Sequence, residues 1–166
     1  MKTTIFLFIL FLGTSCFSQS PICTCCADEY HQFDFWIGEW DVFDTTGNQV
    51  GQNTIKREQD GCVLQENWIS KNSTGTSYNY FNATDSTWNQ VWVDNQAGSL
   101  VLKGEFSDGA MRLRSNLLKG KKVPYYRNEI VWILHTDGSV SQQWNILDEQ
   151  DAVLTIAFLG IYRKKE

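Results

Sequence analysis

The residues of this chain best suited to chemistry recur at intervals of two. Leu64, Glu66 and Trp68 form one series, Ser77, Asn79 and Phe81 a second, and Trp88, Gln90, Trp92 and Asp94 a third. Side chains alternate across a β-strand, so each series shares one face. Each face combines aromatic bodies with one or two hydrogen-bonding groups, which is the makeup of a small-molecule pocket. Pointed inward, Glu66, Asn79 and Gln90 fall at similar depth on successive strands. Arg127 is then the cation expected to reach them from across the interior, because a lone buried carboxylate is costly. Glu66, Trp68, Asn79, Phe81, Gln90, Trp92 and Arg127 are therefore the candidate ligand-binding residues. The opposite arrangement turns the polar members to water and fills the interior with Trp and Leu. The other faces do carry apolar residues (Val63, Ile69, Tyr78, Val91, Val93). Two Trp on one face of a strand favour burial of that face.

Catalytic motifs are scarce. The chain has no Gly-x-Ser-x-Gly, no His-Glu-x-x-His and no phosphate loop. His31 falls in an N-terminal turn and His135 at a strand end beside Thr136-Asp137-Gly138, so both read as surface or rim residues. An enzyme would have to use Glu66 as acid/base, with Arg127 stabilising an anion. A third possibility is a structural module packed shut, with no ligand. No catalytic residue, metal ligand or cofactor is assigned.

Cys23, Cys25, Cys26 and Cys62 are disulfide candidates, the simplest pairing tying the N-terminal segment to Cys62. A zinc site is the rival, because Cys23-x-Cys25-Cys26 lies close to His31 and thiolate with imidazole suits that metal. The usual spacing of two to four residues between paired ligands is absent there. Free thiols are the remaining alternative.

Past Gly38 the chain is a succession of short β-rich runs: Glu39–Asp44, Val50–Glu58, Cys62–Ser70, Thr76–Ala83 and Thr87–Asp94. Ser99–Phe106, Ala110–Asn116, Tyr125–His135, Ser139–Leu147 and Ala152–Arg163 follow. Between them stand turn sequences such as Thr46-Gly47-Asn48, Asp60-Gly61, Ser107-Asp108-Gly109 and Asp137-Gly138, which supply positive φ for tight hairpins. This spacing, with no helical period, predicts an all-β protein. Hairpin connections predict a single antiparallel up-and-down barrel of about ten strands, which leaves no free edge. One short helical turn is expected near Asp28–Phe35.

Residues 1–18 have the pattern of a secretory signal peptide: Lys2, the apolar run Ile5–Leu12, then small residues through Ser18. The apolar run is too short for a spanning helix, which needs about 20 residues. Cleavage after Ser18 gives a periplasmic or secreted protein. Lipid anchoring through Cys16 is the alternative, although Gly13 stands where such signals carry Leu. Residues 19–37 then form a Cys-containing segment and capping turn, and 38–166 the barrel domain. A net charge of −5, with the acids scattered, argues against nucleic acid or an anionic membrane as partner. The expected partner is a small molecule.

The densest patch is Phe33-Asp34-Phe35-Trp36-Ile37-Gly38-Glu39-Trp40-Asp41-Val42. Gly38-x-Trp40, opening the first strand after an aromatic turn, looks like the Gly-x-Trp signature of the lipocalin and fatty-acid-binding superfamily. The longer string resembles the DUF1579 family of bacterial proteins of unknown function. Gly61-Cys62-Val63-Leu64-Gln65-Glu66-Asn67-Trp68 is similar to that family's Glu-x-Trp strand. Ser77–Phe81, Trp88–Asp94, Leu102-Lys103-Gly104, Arg127–Trp132 and Tyr162 fall in place behind it. The resemblance implies a lipocalin-like barrel of the calycin or nitrobindin type, with Trp36 and Trp40 at its floor; it implies no reaction. Barrels of the nitrobindin type hold haem through a histidine near the C-terminus, and past His135 this chain has none.

Overall fold

Hairpin turns set the course of the chain, and an aspartate begins several of them. Asp44 Oδ1 accepts from the backbone N–H of Thr46 and Asn48, both at 2.9 Å, and Asp94 Oδ1 does the same for Gln96 (2.9 Å) and Gly98 (2.7 Å). Asp148 repeats the pattern with Gln150 and Ala152. A short carboxylate thereby replaces the backbone partners that a tight reversal removes. Gly47, Gly109 and Gly138 take the positive φ the neighbouring turns require.

The computed structural model describes residues 23–165; the expected signal segment 1–18, its cleavage site and Cys16 lie outside them. Eleven strands follow two short 3-10 turns, Asp28–His31 and Asp34–Trp36. They are β1 (Gly38–Phe43), β2 (Gln49–Glu58), β3 (Val63–Ser70), β4 (Thr74–Asn82), β5 (Thr87–Asp94) and β6 (Ser99–Ser107). β7 (Ala110–Arg114), β8 (Leu118–Lys119), β9 (Tyr125–Leu134), β10 (Val140–Leu147) and β11 (Val153–Lys164) complete the set. Each pairs antiparallel with its sequence neighbour, except that β7 pairs with β9 and β11 returns to β1. Ten strands thus form a closed barrel. The two-residue β8 is an extra hairpin arm on β9, absent from the sequence reading because Leu118-Lys119 is too short to show a period.

The closing seam is the shortest in the barrel wall. β1 and β11 meet over four residue pairs, Trp40↔Lys164 to Phe43↔Ile161, whereas β2 and β3 share eight. Residues 153–160 of β11 run past the end of β1 and pair only with β10.

One end of the barrel is plugged by the 3-10 turns. Phe33 stacks on Trp36 at 4.9 Å between centroids and meets Trp132 and Trp88 edge-on at 5.2 and 5.7 Å. Trp40, wholly buried, donates its indole N–H to the Trp36 carbonyl at 2.9 Å. The expectation that Trp40 lies inside near one end under a preceding cap therefore holds. Arg57 of β2 pairs with Asp34 of the cap. Cys25 bonds to Cys62 at the start of β3, and Cys23 bonds to Cys26. Disulfides, not zinc, account for the four cysteines. Among the described residues no cluster of His, Cys, Asp and Glu is arranged to hold a metal.

Candidate functional site

Cross-strand partners face the same way, so the register sorts the barrel interior into rows. Ile55, Glu66, Ser77, Trp92 and Leu100 form one row across β2 to β6. Asn53, Trp68, Gly75 and Asp94 form the next, nearer the open end. Leu64, Asn79, Gln90 and Leu102 lie one row deeper, toward the plug. The inward assignment of these faces follows directly: Glu66, Asn79 and Gln90 are all buried.

Glu66 is only 5% exposed, and both carboxylate oxygens accept hydrogen bonds. Asn53 Nδ2 donates to Oε1 at 2.7 Å, and Ser77 Oγ donates to Oε2 at 2.6 Å. Behind Ser77, Asn79 Nδ2 donates to its hydroxyl at 2.9 Å, and Gln90 Nε2 donates to Asn79 Oδ1 at 2.8 Å. On the other side Asn53 Nδ2 reaches the Tyr162 hydroxyl at 3.4 Å, and that hydroxyl donates to Gln142 Oε1. The chain of bonds spans β5, β4, β3, β2, β11 and β10. Burial raises the Glu66 pKa to about 6, against the lowering effect of the Ser77 and Asn53 bonds. Burial and the nearby Glu66 charge together push the Tyr162 phenol well above its ordinary value.

Above this layer lies a cavity of about 510 Å³ at the open end. Trp68, Trp92, Leu100, Trp144 and Phe158 supply most of its walls, with Glu66, Gln90, Gln142 and Tyr162 among its polar groups. Two glycines make the room. An added Cβ at Gly75 would stand 2.1 Å from the Trp92 ring, and one at Gly51 would stand 2.4 Å from the Trp68 ring. Each indole therefore packs directly against the bare backbone of the neighbouring strand. A side chain at either position would force the ring to move.

Glu66, Trp68, Gln90 and Trp92 thus meet at one cavity, as their spacing predicts. Asn79 sits one layer behind, orienting Gln90 and Ser77 without lining the space. Two candidates fall elsewhere. Phe81 packs on Tyr30 (5.3 Å) and Trp88 (6.2 Å) beside the plug, where it borders a separate hollow of about 460 Å³. Arg127 does not face Glu66: its guanidinium pairs with Asp151 at 3.2 Å, in the turn between β10 and β11. The buried charge it was expected to balance is held by neutral donors instead. Asn53, Ser77, Gln142 and Tyr162 were not singled out as site residues. Ser77 was already placed on the Asn79 face by its spacing, whereas Asn53, Gln142 and Tyr162 enter only through the register.

A second buried carboxylate has a different environment. Glu129 is covered by Arg112 (3.0 Å) and Arg114 (2.7 Å) from β7 and by Asn145 (2.9 Å) from β10. Burial pushes its pKa up, but Asn145 and the two guanidiniums outweigh that and leave it below the ordinary value. Of these two buried acids, the one bordering the cavity lacks a cation. Comparison with known protein families and with curated proteins gives no match for this chain.

Proposed function

We propose that this protein is an exported lipocalin-like barrel that holds a small, partly apolar molecule in its interior, and that it stands with the DUF1579 family it resembles. The observation that carries the reading is the cavity at the open end, walled by Trp68, Trp92, Trp144 and Phe158 over a floor of hydrogen-bonded polar groups. Its volume of about 510 Å³ falls in the usual range for small-molecule sites. The plug closes the other end, so the cavity opens to solvent at one mouth. Export rests on the N-terminal sequence pattern and agrees with two disulfides. No helix among the described residues is long and apolar enough to cross a membrane.

Native mass spectrometry of gently purified protein tests the reading. A carried small molecule is expected in the wild type and is expected to be lost in Leu100→Trp, which puts an indole where the cavity has space. Retention of the same molecule by that variant would place it outside the barrel.

Acid/base catalysis by Glu66 is the second reading, favoured by a carboxyl whose pKa is raised to about 6 beside a cavity. It lacks the anion-stabilising Arg127. Turnover of a bound molecule by the wild type, abolished in Glu66→Gln with binding intact, would promote it to first place.

A further inference from the structure

The cavity is chemically one-sided. Glu66, Asp94 and Tyr162 are the ionisable residues that line it, and among the described residues no Lys, Arg or His does. Both oxygens of Glu66 are met by neutral donors, Asn53 and Ser77. Those donors fix the carboxylate without cancelling its charge, which in a buried site is an unfavourable state. Arg127, the nearest cation by sequence logic, is engaged with Asp151.

The walls add a second preference of the same sign. Indole and phenyl faces carry a negative quadrupole and attract cations, most strongly where water is excluded. Trp68 and Phe158 stand edge-to-face at 6.1 Å on opposite sides of the β1–β11 seam, and Trp92 packs against the backbone at Gly75. Asp94, on the mouth side, is kept ionised by the backbone N–H groups of Gln96 and Gly98, which lower its pKa. A mouth carrying fixed negative charge concentrates cations.

We propose that the molecule held in this barrel is an organic amine, with its ammonium on Glu66 and its apolar body between Trp68, Trp92 and Phe158. This rests on the reading of the cavity as a ligand site and adds the charge class of the ligand. The ammonium supplies the countercharge that the barrel withholds, and the free protein accordingly carries an unmet preference rather than a satisfied ion pair. An anionic ligand of the same shape would bring a second negative charge against Glu66.

The pH dependence follows from the same groups. Around Glu66 stand Asn53 of β2 and Ser77 of β4, which bond it, and Tyr162 of β11; Gln90 of β5 and Gln142 of β10 share its cavity, with Asp94 nearer the mouth. Tyr162 stays neutral and Asp94 stays ionised through the neutral and mildly acidic range. Of these groups Glu66 is the one that changes charge there, with a pKa raised to about 6.

Calorimetric titration with phenylbutylamine, phenylbutanol and phenylbutyrate separates the possibilities, since the three share a body and differ in charge. The amine is expected to bind at least about tenfold tighter than the alcohol, and the acid weakest. Glu66→Gln is expected to bring the amine down to the level of the alcohol and leave the alcohol unchanged. On wild-type protein, lowering the pH from about 7.5 to about 5 is expected to weaken the amine by about tenfold and not the alcohol. That arm decides the matter even if Glu66→Gln folds poorly. Alcohol or acid binding as tightly as the amine, or amine binding indifferent to pH, overturns the amine assignment and leaves the interior site standing. Failure of all three to bind overturns the interior site and this inference together.

Discussion

A carboxyl enclosed by neutral donors and cut off from water favours its protonated form, and stability should report it. Glu66 has its pKa raised to about 6 from 4.5, so between those values the folded protein binds the proton more tightly than the unfolded chain. Its contribution is therefore fully present below about pH 4.5 and is lost as pH rises through about 6, amounting to about 2 kcal/mol. Asp44, Asp94 and Asp137 act in the opposite direction, because turn hydrogen bonds lower their pKa values and protonating them at still lower pH costs stability. Urea unfolding of wild type and Glu66→Gln at several pH values should show this mid-range slope in the first and not in the second. Arg127→Ala, by contrast, removes a half-exposed pair with Asp151 and should cost no more than about 1 kcal/mol. Gly75→Ala should cost more, about 1–3 kcal/mol in the same measurement, because the new methyl must displace the Trp92 ring. Period-two spacing was enough to place Glu66, Asn79 and Gln90 indoors, since burial of one face is a property of the strand itself. It could not place Arg127, whose partner Asp151 comes from a hairpin turn more than twenty residues away, in a register that no local pattern encodes.

At the scale of elements, the plug and the strands are held together by unequal ties. The Cys25–Cys62 bond spans a sequence separation of 37 and joins the plug segment to β3, while Cys23–Cys26 spans only 3. Closing the longer loop restricts the unfolded chain far more, by roughly 4 kcal/mol on the chain-entropy model. Cys25→Ala/Cys62→Ala is expected to lower the unfolding free energy by most of that amount, and Cys23→Ala/Cys26→Ala to lower it much less. Thermal or urea unfolding without reductant distinguishes the two. The strand boundaries read from the sequence agree with the structure to within a residue or two, because Asp-Gly, Thr-Gly-Asn and similar turns fix hairpin ends chemically. The helical turn near Asp28–Phe35 proved to be two 3-10 turns, Asp28–His31 and Asp34–Trp36. Its aromatic residues are committed to the barrel floor, and packing on Trp88 and Trp132 shapes a segment this short more than local propensity does.

For the whole molecule, closure joins the first strand to the last. Up-and-down order was legible because each hairpin is local; closure of the first strand on the last was inferred from the need to leave no free edge and from the lipocalin-like resemblance. That seam has four residue pairs where its neighbours have up to eight, and β11 leaves residues 153–160 without a partner on the β1 side. A wall with one weak join does not fluctuate uniformly. Local opening should begin where the fewest backbone bonds must break, well below the free energy of global unfolding. In hydrogen exchange the paired amides of β1 and of Ile161–Lys164 should lose protection before those at the centre of β3, β4 and β5. Phe158 and Tyr162, which line the cavity, sit on the β11 side of that join, while Val50 lies just beyond the β1–β2 turn. A side door at this position would set the residence time of a bound molecule independently of its affinity: a disulfide stitched across the seam should slow both association and release while leaving their ratio nearly unchanged.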